Sequence, residues 1–124
     1  MESLKQFIQK KKKSDFSDFL LQLMKERDLT PPILYQRILM DRKLFSKIIS
    51  IKNYKPTKKT VCALALGLKL DAYTSKQFIK RAGYILTSGS KFDLAIRYCI
   101  DHQIYDMNQV ELLLQEQGLS LLKP

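Results

Sequence analysis

Between Arg42 and Lys59 the chain carries seven cationic side chains (Arg42, Lys43, Lys47, Lys52, Lys55, Lys58, Lys59) and no carboxylate. Guanidinium and ammonium groups set this densely, with no acid to neutralise them, suit a polyanion. Helical spacing puts Arg42, Lys43, Ser46 and Lys47 on one side and Phe45 and Ile48 on the other. A short helix with an apolar back and a cationic front fits a nucleic-acid major groove. There Arg42 or Lys43 could donate to guanine O6 and N7, with Ser46 and Lys47 one turn further on. Lys52, Asn53, Tyr54, Lys55, Thr57, Lys58 and Lys59 follow that helix, and Gln36 and Arg37 precede it; these are expected at phosphates. Thr57 opens a helix whose first N–H groups could donate to a phosphate as well. The bland use of such a charge run is a solvated helix face.

Little else in the chain suggests chemistry. The one histidine, His102, falls near the end of a helical pattern, where a surface imidazole is favoured by the helix dipole. Asp93, Asp101, Asp106, Glu111 and Glu116 are spaced as a solvated face, without the pairing that acid–base work requires. Glycine-rich phosphate loops and nucleophile–base pairs are absent, so no catalysis, cofactor or metal is expected. Cys62 and Cys99 sit at apolar helical positions and are expected as reduced core residues of a cytoplasmic protein. No run approaches the roughly 18 apolar residues of a membrane span. In MESLKQFIQKKKK the charges follow the apolar patch, the reverse of a secretory signal, so no membrane association is expected. The charge of +10 is lopsided: residues 1–59 hold 15 Lys and Arg against 6 Asp and Glu, and residues 60–124 hold 7 against 6.

The elements that must position the cationic face are all helical. Phe16, Phe19, Leu20, Leu23 and Met24 recur at helical spacing and predict a helix from about Asp15 to Arg27. Thr30 and Pro31 suit the cap and first position of the next, carrying Ile33, Leu34, Ile38 and Leu39. Asp41 caps the cationic helix, over residues 41–50. Thr57 caps a helix with Val61, Leu64, Ala65 and Leu68 as its buried stripe and small residues for close packing. Asp71 caps a fifth, ended by Gly83. Past a linker at residues 85–89, Ser90 caps a helix with Phe92, Ala95, Ile96, Cys99 and Ile100. Asp106 and Gln109 resemble a capping box for a last helix, with Val110, Leu113 and Leu114, ended by Gly118. The expectation is an all-α chain: a basic N-terminal arm at 1–13, a five-helix unit at 14–84, and a C-terminal extension of two helices at 85–124 packed on it. The arm's Lys10, Lys11, Lys12 and Lys13 could follow a phosphate backbone or enter a minor groove; a frayed tail is the bland alternative.

The segments DRKLFSKI (41–48), NYKPTKKT (53–60), CALALGLKLD (62–71), RAGY (81–84) and SKFDLAIRYCI (90–100) carry a resemblance. Together they resemble the XRE-type (Cro and phage-repressor-like) helix-turn-helix DNA-binding family, and within it a bacterial subfamily with a C-terminal helical extension. The resemblance implies a five-helix repressor-like domain with two appended helices, and double-stranded DNA as its partner. Family members place a small residue and a glycine where this chain has Tyr35 and Leu39. A branched residue in left-handed backbone costs about 1 kcal/mol or more, so either the turn takes another geometry or it is strained.

The expected function is a sequence-specific transcriptional regulator, repressor-like and acting as a homodimer. Tyr98, Tyr105, Leu112, Leu119, Leu121 and Leu122 are candidates for the dimer interface, or else for packing back onto the core. The alternative is a phage or mobile-element interaction protein that turns the same basic face on a nuclease or its nucleic acid.

Overall fold

The structure is a computed structural model that describes residues 1–11 and 15–123. Among the described residues it is all-helical: α1 (Leu4–Lys11), α2 (Phe16–Glu26), α3 (Pro31–Arg37), α4 (Arg42–Ser50), α5 (Lys58–Gly67), α6 (Ala72–Arg81), α7 (Lys91–Asp101) and α8 (Met107–Glu116). No described helix is long and apolar enough to cross a membrane.

The core forms around α5. The expected one-sided stripe is instead burial all round, from Thr60 through Gly67, because α3, α6 and α7 surround the helix. Small side chains make that crowding feasible. A Cβ on Gly67 would lie 2.5 Å from Ile38 Cγ2 and 2.9 Å from Leu34 Cδ1, so α3 can approach only because glycine is there. Leu34 and Ile38 are buried on that contact, whereas Ile33 and Leu39, expected on the same stripe, are exposed.

The helix ends follow one rule. Asp15, Asp41, Thr57, Asp71, Ser90 and Asp106 each accept an N–H from their own first turn. Thr30 has the extended backbone of a cap but makes no side-chain cap bond; Pro31 and Pro32 behind it have no N–H to offer. At the other ends, Asp28, Leu39, Lys69, Gly83, Gln103 and Gly118 take left-handed backbone. The next residue in each case (Leu29, Met40, Leu70, Tyr84, Ile104, Leu119) donates its N–H five residues back and packs in or against the core. That is a Schellman closure with its apolar contact, used six times.

α1 is a helix where a tail or arm was expected. Ser3 and Gln6 exchange capping bonds at 2.9 and 3.2 Å, a capping box the sequence contains. Its apolar residues Leu4, Phe7 and Ile8 remain exposed. Of the arm lysines, Lys10 pairs with Glu2 at 2.7 Å, and Lys12 and Lys13 lie outside the described residues.

Candidate nucleic-acid interface

The placement of α4 follows from two bonds at its start and two side chains beneath it. Met40 N–H donates to Tyr35 O at 2.8 Å and closes α3. One residue later Asp41 accepts Lys43 N–H at 2.6 Å and opens α4. Leu39 between them has φ 57°, so the branched residue occupies the left-handed position itself. Phe45 and Ile48, each 2% exposed, then fix α4 against α2 and α3, with the Phe45 ring 5.8 Å from Tyr35. Tyr35 is thus a packing partner of α4.

With that face fixed, Arg42, Lys43, Ser46 and Lys47 are all exposed. Among the described residues, none of the three cations makes an ion pair. Lys52, Asn53 and Lys55 continue the exposed surface, Asn53 with φ 62° in a turn closed by Tyr54 N–H to Ile51 O at 3.1 Å. Tyr54 is half-buried against the core. Lys55 Nζ lies 5.2 Å from the centre of the Tyr84 ring, whose hydroxyl donates to Pro56 O at 2.8 Å, so the loop is braced from α6's end. Gln36 is exposed on α3.

Three cations counted toward phosphates are engaged within the fold. Arg37 Nη1 donates to Gly67 O at 2.6 Å and caps the C-terminus of α5. Lys58 Nζ lies 2.7 Å from Asp93 Oδ2, and Lys59 Nζ donates to Ser120 Oγ at 2.5 Å. Thr57 spends its hydroxyl on Thr60, accepting its N–H at 3.3 Å and donating to its Oγ1 at 3.0 Å.

Asp93 corrects the expected solvated face of acids. It is 2% exposed and accepts from Lys58 and from Thr87 N–H at 2.8 Å. Burial pushes its carboxyl up. The Lys58 and Thr87 hydrogen bonds and the Lys58 charge outweigh that and bring it below 3.8. No sequence spacing marks this pair, because its members are 35 residues apart on different helices.

The apolar residues proposed at a dimer interface divide. Leu122 is fully buried, Leu119 packs on the core, and Tyr105 donates its hydroxyl to Leu70 O at 2.9 Å, so these three are spent within the chain. Tyr98, Leu112 and Leu121 are exposed. His102 stacks on Tyr98 at 4.1 Å, at the end of α7. Cys62 and Cys99 are buried and free; burial, with Asp93 adding and Lys58 opposing, pushes the Cys62 thiol up to about 12. A thiol held there is no thiolate nucleophile near neutrality. Among the described residues no three of the metal-ligating type come together.

Compared with family models, with curated proteins and with solved structures, the chain finds no match.

Proposed function

We propose that the chain is a DNA-binding regulator of the helix-turn-helix kind, with α4 seated in the major groove and two copies acting together. One observation carries this reading. α4 is anchored by Phe45 and Ile48 and turns Arg42, Lys43, Ser46 and Lys47 outward, with no ion pair among the described residues to occupy the cations. A groove-reading helix needs this combination: a fixed back, so that position is defined, and long donors that still have their hydrogen bonds to give. Lys52, Asn53 and Lys55 extend the surface to where the backbone would pass, while Arg37, Lys58 and Lys59 act within the fold and support it.

The test is selection of a preferred duplex from a random pool, followed by titration across salt. Log K against log salt should fall by about 0.9 per neutralised phosphate. The five cations left outward (Arg42, Lys43, Lys47, Lys52, Lys55) limit the slope per copy to about −4 or −5, against about −6 had all seven cations of the run been available. A slope near zero rules out this face, and salt-sensitive binding with no preferred sequence rules out base reading by α4.

A further inference from the structure

A second concave surface lies away from α4. Lys76, Ile79 and Lys80 of α6 and Arg97 and Ile100 of α7, with Ile85 of the intervening loop, line a mostly apolar groove of about 440 Å³. Ile79 and Ile100 form its buried floor, and Ile85 stands 64% exposed at its side. The rim is mostly cationic, Lys76, Lys80 and Arg97 against the single acid Asp101. Residues 60–124 are nearly balanced, 7 cations to 6 acids, yet three of those seven cations stand here. The groove's one acid, Asp101, already lies 3.8 Å from Arg97 Nε.

We propose that this groove docks an acidic amphipathic helix of a protein partner, apolar side chains on the isoleucine floor and carboxylates against Lys76, Lys80 and Arg97. Lys76 and Lys80 are one helical turn apart on the same face, a spacing that acids at i and i+4 of a bound helix match. A nucleic-acid backbone would satisfy the rim and leave the apolar floor facing phosphates. A bilayer would need a protruding apolar face, whereas this floor is recessed between two helices. The volume falls in the range of ligand-binding clefts. The proposal stands apart from the DNA-binding reading, since no α4 residue lines the groove.

The experiment uses the whole chain and a fluorescein-labelled helical peptide with leucines along one face and glutamates flanking them. A shuffled peptide of the same composition is the control. The amphipathic peptide should bind at least about tenfold more tightly than the shuffled one, because only it presents a continuous apolar stripe. Lys76→Glu/Lys80→Glu should remove about tenfold or more of that affinity by like-charge contact. Both side chains are exposed, so the variant should melt as the parent does, and its DNA binding should be unchanged. Amide shifts in the titration should cluster between residues 76 and 100. Equal binding of the shuffled peptide, indifference to the double charge reversal, or shifts centred on α4 would each overturn the proposal. None of these outcomes touches the duplex selection, which fails or succeeds on its own.

Discussion

The turn from α3 into α4 and the turn from α5 into α6 share one construction. Each has a residue in left-handed backbone (Leu39, φ 57°; Lys69, φ 55°), then a buried apolar residue (Met40; Leu70), then an aspartate cap (Asp41; Asp71). The closing bonds correspond too: Met40 N–H to Tyr35 O at 2.8 Å, and Leu70 N–H to Ala65 O at 3.2 Å. Both helices that follow point lysines outward. What separates them is the company they keep. α4 packs on α2 and α3 and leaves its outer face clear; α6 packs on α2, α5 and α7, and α7 turns the neighbouring surface into an apolar groove. The turn alone therefore cannot mark a groove-reading helix, since the chain contains it twice. The two helices differ instead in the outer face, which α4 leaves clear and α6 shares with a groove against α7; the lysines of both are exposed and make no ion pair among the described residues.

The largest expected effects are at the two anchors. Phe45 holds α4 and Phe78 holds α6, both essentially buried. Truncation of either to alanine should cost about 3–5 kcal/mol of a total of about 5–15. Phe78→Ala belongs at the upper end, because that ring meets both Phe16 at 4.7 Å and Phe19 at 5.9 Å, whereas among the described residues the Phe45 ring meets one other ring, Tyr35. Denaturant unfolding measures both. Equal or reversed costs would mean α4 is held as deeply as α6.

Next in size is a cation with a partner against cations without one. Lys58→Ala strands the buried Asp93 and should cost about 2–3 kcal/mol, under the 3–5 of a wholly buried pair because the lysine is 31% exposed. Lys47→Ala should stay within about 0.5 kcal/mol. The Lys58 effect has a pH signature. The Asp93 carboxyl lies below its usual 3.8 in the fold, so the pair's contribution is complete above about pH 4 and is lost as pH falls through the lower folded value. The gap between wild type and Lys58→Ala should therefore narrow on acidification. A gap constant down to pH 2 would mean the lysine contributes packing only.

Binding separates the two lysine faces more finely. Arg42→Ala or Lys43→Ala should weaken the preferred duplex by about 1–3 kcal/mol and random DNA much less, since a base contact is lost. Lys55→Ala should weaken all duplexes alike and reduce the salt slope by about one. Lys76→Ala and Lys80→Ala should change neither in quantitative gel shifts. If the α6 variants match the α4 variants, the protein binds DNA over its whole cationic surface and the distinction collapses.

Local signals announced most of this architecture. Five of the side-chain caps (Asp41, Thr57, Asp71, Ser90, Asp106), the glycines at 83 and 118 and the facing of Phe45 and Ile48 could be read from residue type and spacing, because helix ends and stripes are determined within a few residues; Thr30, read as a cap too, makes no side-chain cap bond. Even the Leu39 conflict was visible, and the structure resolves it as a strained position. The sequence did not reveal who pairs with whom at a distance. Arg37 with Gly67, Lys58 with Asp93 and Lys59 with Ser120 join residues 30, 35 and 61 apart. The last two of these reduce the seven cations between Arg42 and Lys59 to five outward ones. The capping box at Ser3 and Gln6 was equally local, but the lysine run after it draws the eye to a tail.

The smallest effect tests whether the two turns are energetically as alike as their geometry. Leu39 and Lys69 both sit at φ near +55°, where a side chain costs roughly 1–2 kcal/mol against a right-handed conformation. Glycine removes that strain but adds about 0.5–1 kcal/mol of unfolded-chain entropy, so Leu39→Gly and Lys69→Gly should each stabilise by about 0.5–1 kcal/mol. Little packing is lost, since Lys69 is exposed and Leu39 is 47% exposed. Neither Met40 nor Leu70 moves, so the apolar contact that completes each closure stays. Measured by urea unfolding, the two gains should agree within about 0.5 kcal/mol. A loss of stability in Leu39→Gly alone would show that the leucine packs usefully at the α3–α4 turn. In that case the strain at the α3–α4 turn is offset by a contact its counterpart at Lys69 lacks.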